Sequence, residues 1–213
     1  MDLLNLSLLL VFIPTFFFVS ITPGMCMTLA LSMGISIGLK RTFYMMYGEL
    51  IGVGLVATSS VIGVATIMLQ YPTAFIVLKY AGGAYLVYLG IMMWLSKGKM
   101  ALNVDKQNFN ISNKSLAMQG FVTAIANPKG WAFFIALLPP FIDESLELFP
   151  QLSVLIFLIL LLEFSCLIIY ASGGNLVRKF LQDSSNVKLL NKIAGTLMMF
   201  IGVWLAFTWY LFD

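Results

Sequence analysis

The sequence predicts an all-α integral membrane protein of six transmembrane helices, built as two inverted three-helix repeats whose first helices are broken. Three observations predict it. The first is composition: of 213 residues, 61% are hydrophobic and 10% charged, where soluble domains carry roughly 45–50% and about 25%. The second is a pair of prolines set into apolar runs, at Ser20-Ile21-Thr22-Pro23-Gly24-Met25-Cys26-Met27 and at Ala124-Ile125-Ala126-Asn127-Pro128-Lys129-Gly130. Proline removes a backbone donor and clashes with the preceding turn, and in hydrocarbon the freed carbonyls must find partners inside the protein. The third is the alternation of basic charge between successive loops.

Residues 3–39 form an apolar run of 37 residues, about 55 Å as one straight helix against a hydrocarbon core of roughly 30 Å. The Pro23-Gly24 break therefore divides it into 3–21 and 25–39. Met1 to Val19 has Asp2 as its only charge and lacks a basic start and a small-residue cleavage site, so it reads as a retained span. Residues 42–70 are the second span, and Gln70-Tyr71-Pro72-Thr73 is a turn short enough only for an antiparallel neighbour. The third span is 74–95. A polar stretch follows, dividing the chain into a transmembrane repeat over 1–95, a cytoplasmic linker over 96–115 and a second repeat over 116–213. The fourth span, 116–141, is broken at Asn127-Pro128; the fifth, 151–172, begins after Pro150 and ends at Gly173-Gly174; the sixth is 189–211.

Lys and Arg number two, none, four, none and four in the five loops, with Lys40 and Arg41 in the first and Arg178, Lys179, Lys188 and Lys192 in the last. The positive-inside bias then places odd loops in the cytoplasm and both termini outside. A net charge of +3, dispersed this way, points to no nucleic acid. Gly83 and Gly90 are seven apart, as are Gly195 and Gly202, and each second glycine precedes an apolar stretch with Trp94 or Trp204. Because three is odd, the second repeat must be inverted in the membrane. Gly34/Gly38 and Gly48/Gly52 are GxxxG pairs that read as packing contacts.

Four ionisable residues fall inside spans: Glu49, Lys79, Lys129 and Glu163. A charge at bilayer depth costs at least a few kcal/mol, so each needs a partner, water or a reach to the interface. Lys79 is near enough to an outer helix end to snorkel. Glu49 is expected toward the cytoplasmic side of the second span, with a protein partner. Glu163 lies near the midplane, where it must be paired, hydrated or protonated, and is with Glu49 the candidate for proton coupling. Lys129 follows the second break, where it could receive a carboxylate. With no histidine, and with Cys26 and Cys166 both in apolar runs, neither a metal site, a disulfide nor a cofactor is expected.

Thr22-Pro23-Gly24, the run Lys79-Tyr80-Ala81-Gly82-Gly83-Ala84-Tyr85-Leu86 with Leu89-Gly90, and Asn127-Pro128-Lys129 followed by Leu138-Pro139-Pro140-Phe141 resemble the LysE/RhtB-type amino-acid exporter family. The resemblance covers nearly the whole chain. It implies a six-helix inner-membrane exporter of amino acids or their derivatives, driven by the proton-motive force and often dimeric. The chain departs from the family pattern at Met25 and Cys26, where a second Pro and then Asn or Asp are usual.

The two breaks and the resemblance together predict a secondary transporter and not an enzyme. Its substrate would be held near Thr22, Pro23, Gly24, Asn127, Pro128 and Lys129 as the repeats rock about the breaks. A channel or uniporter for a small polar solute is the nearest rival, since broken helices also line pores. An intramembrane enzyme lacks paired catalytic carboxylates within a span, and a purely structural protein would not need two midplane breaks. The expected partners are a small-molecule substrate and the lipid bilayer, with a homodimer as the assembly the family suggests.

Overall fold

The structure, a computed structural model, describes residues 6–97, 111–138, 141–142 and 146–207, and among them every regular element is a helix. Helix α1 (Leu6–Ile21) meets α2 (Met25–Ile37) at 58° across the Pro23-Gly24 break. Gly38, at φ 79, ends α2, and α3 (Leu39–Gln70) starts at once. A residue with a side chain adopts that φ rarely, so glycine permits the tight reversal here. Tyr71 alone separates α3 from α4 (Pro72–Leu95). Pro72 opens α4 at a position where its missing N–H would have no helical partner anyway.

In the second half, Ser112 caps α5 (Asn113–Ile125) by accepting a hydrogen bond from the Ser115 N–H. Helix α6 (Pro128–Leu137) follows the second break. Helix α7 (Leu148–Gln182) kinks at Gly174, the place where the fifth span was expected to end. Helix α8 (Ser184–Phe207) begins where the Asp183 carboxylate accepts from the Ser185 N–H at 2.8 Å.

Two expectations about loops are corrected. Lys40 and Arg41 lie in the first turn of α3, because the single residue Gly38 makes the reversal. Arg178, Lys179, Lys188 and Lys192 are also helical, since α7 continues past its kink and Asp183 caps α8 well before its apolar part. The linker residues 98–110 lie outside the described residues.

Among the described residues, three helices are long and apolar enough to cross a membrane, over Leu39–Gly63, Leu148–Gly174 and Ser184–Trp204, and the bent pair α1 and α2 counts as a fourth if it is one span. Small residues let the helices meet backbone to backbone. Helices α3 and α5 run parallel, with Gly48 on Ala117 and Gly52 on Phe121 and Ala124; a Cβ on Gly48 would sit 1.8 Å from the Ala117 carbonyl oxygen. Helices α4 and α8 run antiparallel, with Gly90 on Gly195 and Gly83 on Gly202. Gly34 packs on Ala171 of α7, but Gly38 has nothing within 4 Å of where a Cβ would be, so this pair holds one packing glycine and one turn glycine.

Two cores flank the bend. One is rich in phenylalanine, with Phe12 and Phe16 of α1 against Phe133 and Phe134 of α6. The other is rich in methionine, with Met27 and Met33 of α2 among Met45 and Met46 of α3. Along the chain, the first break falls where one core gives way to the other.

Candidate substrate site between the helix breaks

The two breaks, separated by about a hundred positions in sequence, meet at one cavity. Its volume is about 60 Å³, well above the roughly 10–15 Å³ that one water requires. Thr22 and Gly24 from the first break, Asn127 and Lys129 from the second and Glu163 of α7 all line it. Phe16, Val53, Phe133 and Phe134 supply an apolar wall.

The second break is built locally. Asn127 is extended at φ −78 and ψ 104, and its side-chain oxygen accepts from the Lys129 N–H at 3.1 Å. Pro128 occupies the first helical position of α6. The Ile125 carbonyl at the end of α5 accepts from Trp131 Nε1 at 2.9 Å, again from close by in sequence.

The first break is built from afar. Gly24 precedes α2 in extended conformation and offers no side-chain cap. The Val19 carbonyl accepts from the Thr22 hydroxyl at 2.5 Å and from Lys129 Nζ at 2.8 Å. Lys129 Nζ also donates to Thr22 Oγ1 at 2.8 Å. The Ile21 carbonyl accepts from the buried Tyr170 hydroxyl of α7 at 2.7 Å. Carbonyls freed by the break are thus met by side chains of the second half, as hydrocarbon demands.

Of the two glutamates Glu163 and Glu49, Glu163 lines the cavity and Glu49 does not. Glu163 accepts a short hydrogen bond from Ser20 and feels the charge of Lys129. Glu49 of α3 is fully buried, and neither of its carboxylate oxygens meets a hydrogen-bond donor among the described residues. A Glu49 oxygen, a Glu163 oxygen and the Cys26 sulfur lie within 4.8 Å of one another, a donor set able to hold a cation. Asn127 Nδ2 approaches the same sulfur at 3.5 Å. The ends of four helices bound the two breaks, the C-termini of α1 and α5 and the N-termini of α2 and α6.

A wall of mixed charge where two broken helices meet is what a solute-handling membrane protein needs, and relatives point the same way. Residues 17–208 match the LysE type translocator family. The chain belongs to that family. It is 27% identical over 187 residues to the homoserine/homoserine lactone efflux protein of Salmonella typhimurium, covering 88% of this chain and 90% of that protein. A leucine efflux protein of Klebsiella pneumoniae is 26% identical over 194 residues, covering 87% of each. An uncharacterized membrane protein of Vibrio cholerae is 27% identical over 187 residues, with 88% and 90% covered. No solved structure matches the chain.

Within this translocator, Thr22, Gly24, Asn127, Lys129 and Glu163 line one cavity. Pro23 and Pro128 shape the two bends without lining the cavity. Glu49 stands ten residues, about 15 Å, from the start of α3 at Leu39. Lys79 belongs to α4, and its side chain lies outside the described residues. Ser20, Cys26 and Tyr170 were not foreseen as site residues. Cys26 did mark the departure from the family pattern, and the structure puts a thiol at that point of the cavity wall.

Proposed function

We propose that this translocator is a secondary transporter of the bacterial inner membrane that exports a small amino acid or amino-acid derivative, driven by the proton-motive force. The observation that carries the reading is the meeting of both helix breaks at one cavity holding Lys129 and Glu163. The names of the Salmonella and Klebsiella relatives support export as the direction and amino acids or their derivatives as the class.

In this reading the six spans form two inverted repeats that rock about the breaks, with both termini outside. The paired glycines favour it: Gly83 and Gly90 meet Gly202 and Gly195 in reversed order, as a two-fold axis between α4 and α8 would require. Substrate rests against Thr22, Gly24, Asn127 and Lys129, and its apolar part against Phe16 and Phe133. Glu163 takes a proton on one face and gives it up on the other. A second copy completes a homodimer.

The test is efflux from proteoliposomes loaded with a mixture of labelled amino acids, with and without an imposed pH gradient. At least one should leave against its own gradient only when the membrane is energised. Glu163→Gln should retain downhill exchange and lose pH-driven accumulation. Purely downhill flux in the wild type, unaffected by the gradient, would make the protein a channel or uniporter instead.

A further inference from the structure

We propose that the helical segment after the kink of α7, together with the first turns of α8, is a docking site for the headgroups of anionic phospholipids. The inference does not depend on what the protein carries. It begins from a bend built at two adjacent glycines. Gly174 adopts φ 42, which a residue with a side chain rarely does. A Cβ on Gly173 would stand 2.0 Å from the Val177 side chain, so Gly173 leaves the room in which the next turn closes. The apolar span of α7 ends at Gly174, and past the kink the helix runs on to Gln182.

The segment past the kink has more apolar surface than its core uses. At about 100° per residue, Leu176, Phe180, Val177 and Leu181 cover a continuous arc of about 140°. The inner half of that arc is taken: Leu181 is buried and Val177 packs against the methionine-rich core. The outer half is open, with Leu176 78% and Phe180 47% exposed. Arg178, Lys179 and Gln182 stand on the opposite side of the helix. Open apolar residues backed by basic ones are the pattern of a helix lying in the membrane interface. The exposed apolar row of the span, at Phe157, Leu161 and Ile169, leads on to Leu176, which is two residues or about 3 Å beyond the span's end.

Charge selects the lipid. From Leu176 to Lys192, Arg178, Lys179, Lys188 and Lys192 bring four positive charges against the one negative charge of Asp183, leaving +3. Among the described residues none of the four forms an ion pair, and Arg178 Nε is buried without a hydrogen-bond acceptor. Lys179 and Lys188 are exposed, and Lys192 lies over the Trp94 ring at 4.9 Å. Leu189, 57% exposed beside Lys188, repeats on α8 the pairing of an open apolar residue with a basic one. An anionic phospholipid answers both features at once: its phosphate meets the lysines while its acyl chains lie along Leu176, Phe180 and Leu189. A free anion would leave the apolar residues uncovered, and a zwitterionic lipid would leave the charge unbalanced.

The test titrates the full chain, in a neutral detergent, with three probes: dioleoylphosphatidylglycerol, dioleoylphosphatidylcholine with the same acyl chains and no net charge, and glycerol 3-phosphate as the anion without chains. Thermal unfolding and native mass spectrometry are read together. Phosphatidylglycerol should raise the unfolding temperature by several degrees more than phosphatidylcholine and stay bound in the native spectra, because a ligand of the folded state alone stabilises it by mass action. Glycerol 3-phosphate should do neither. Lys179→Gln should weaken phosphatidylglycerol binding about fivefold, and Lys179→Gln with Lys188→Gln at least about tenfold. Lys114→Gln removes the same charge from an exposed position on α5, which packs on α3, and should change binding less than about twofold. Should the double variant fail to fold, Lys179→Gln against Lys114→Gln carries the comparison. Equal stabilisation by the two lipids would overturn the choice of an anionic headgroup, and an equal effect of glycerol 3-phosphate would make this a site for a soluble anion. Equal losses in Lys179→Gln and Lys114→Gln would reduce the site to diffuse surface charge. A lipid-free dimer in the native spectra that Leu176→Ser dissociates would put a second copy of the chain on this face instead.

Discussion

The two helix breaks do the same geometric job by opposite means. The second is specified by its own neighbours: Asn127 caps α6, Pro128 sits where a proline is tolerated, and Trp131 reaches back to the Ile125 carbonyl. The first has a glycine at its cap position; Thr22 serves the Val19 carbonyl from close by, but that carbonyl also depends on Lys129 and the Ile21 carbonyl on Tyr170, residues more than a hundred positions away. A self-sufficient break can act as a fixed frame, whereas one held from across the cavity changes whenever its holders move. Lys129 stands on the fixed break and grips the dependent one, and Asn127 adds a longer contact from the same break to the Cys26 sulfur at 3.5 Å, so the two are coupled mainly through one lysine.

Removing that grip should have the largest effect. Lys129→Met strips a donor from Val19 and Thr22 and leaves Glu163 without its nearby positive charge, at a cost of about 3 kcal/mol. We expect transport to fall by more than about tenfold and thermal unfolding in detergent to shift clearly downward. Adding Glu163→Gln should restore much of the folded amount but not the transport. A double variant no more stable than Lys129→Met alone would show that the charge pair contributes nothing to folding.

The prolines sharpen the contrast at a smaller scale. At the first break proline is the main obstacle to a continuous helix, because Gly24 supplies no cap. At the second, Asn127 would still hold the extended cap conformation without Pro128. Pro23→Ala should therefore lower transport about tenfold at a normal folded amount, and Pro128→Ala within about twofold. Equal losses in efflux assays would mean that the breaks are not built differently after all.

This difference also explains what the sequence could and could not disclose. The apolar runs, their prolines and Lys129 are legible because proline and a buried charge impose local constraints wherever they stand. The helix boundaries followed to within about five residues, except that α7, expected to end at Gly173-Gly174, continues through its kink to Gln182, and Gly38 replaced an expected loop by one residue at positive φ. Ser20, Cys26 and Tyr170 stayed hidden because their roles exist only once α1, α2 and α7 lie side by side. Tyr170 in particular looks like any aromatic in an apolar helix until its hydroxyl is found on the Ile21 carbonyl. Glu49 was visible as a charge, yet its company with Glu163 and Cys26 depends on three separate helices.

Tyr170→Phe keeps the ring and removes the hydroxyl, leaving the Ile21 carbonyl without that donor. A cost of about 1–2 kcal/mol is expected, with a downward shift of thermal unfolding of several degrees. Because the change loosens the dependent break, transport should fall with it, measurably but less than for Pro23→Ala. Unchanged efflux would place the Tyr170 bond in stability alone.

Asn127→Ala should have the smallest effect, and it tests whether the second break is as self-sufficient as its bonds suggest. The substitution deletes a cap whose loss typically costs about 1 kcal/mol, but Pro128 still prevents Asn127's position from joining α5. The bend should therefore persist, with thermal unfolding lowered by a few degrees and efflux kept within about twofold. Asn127 has a second contact, through Nδ2 to the Cys26 sulfur at 3.5 Å. Asn127→Ser separates the two roles, since a serine oxygen can cap α6 but is too short to replace the amide beside Cys26. Serine should restore the stability that alanine loses. If efflux recovers with it, the asparagine serves only the frame; if stability recovers and efflux does not, the amide acts on the cavity through Cys26, and the fixed break takes part in substrate handling.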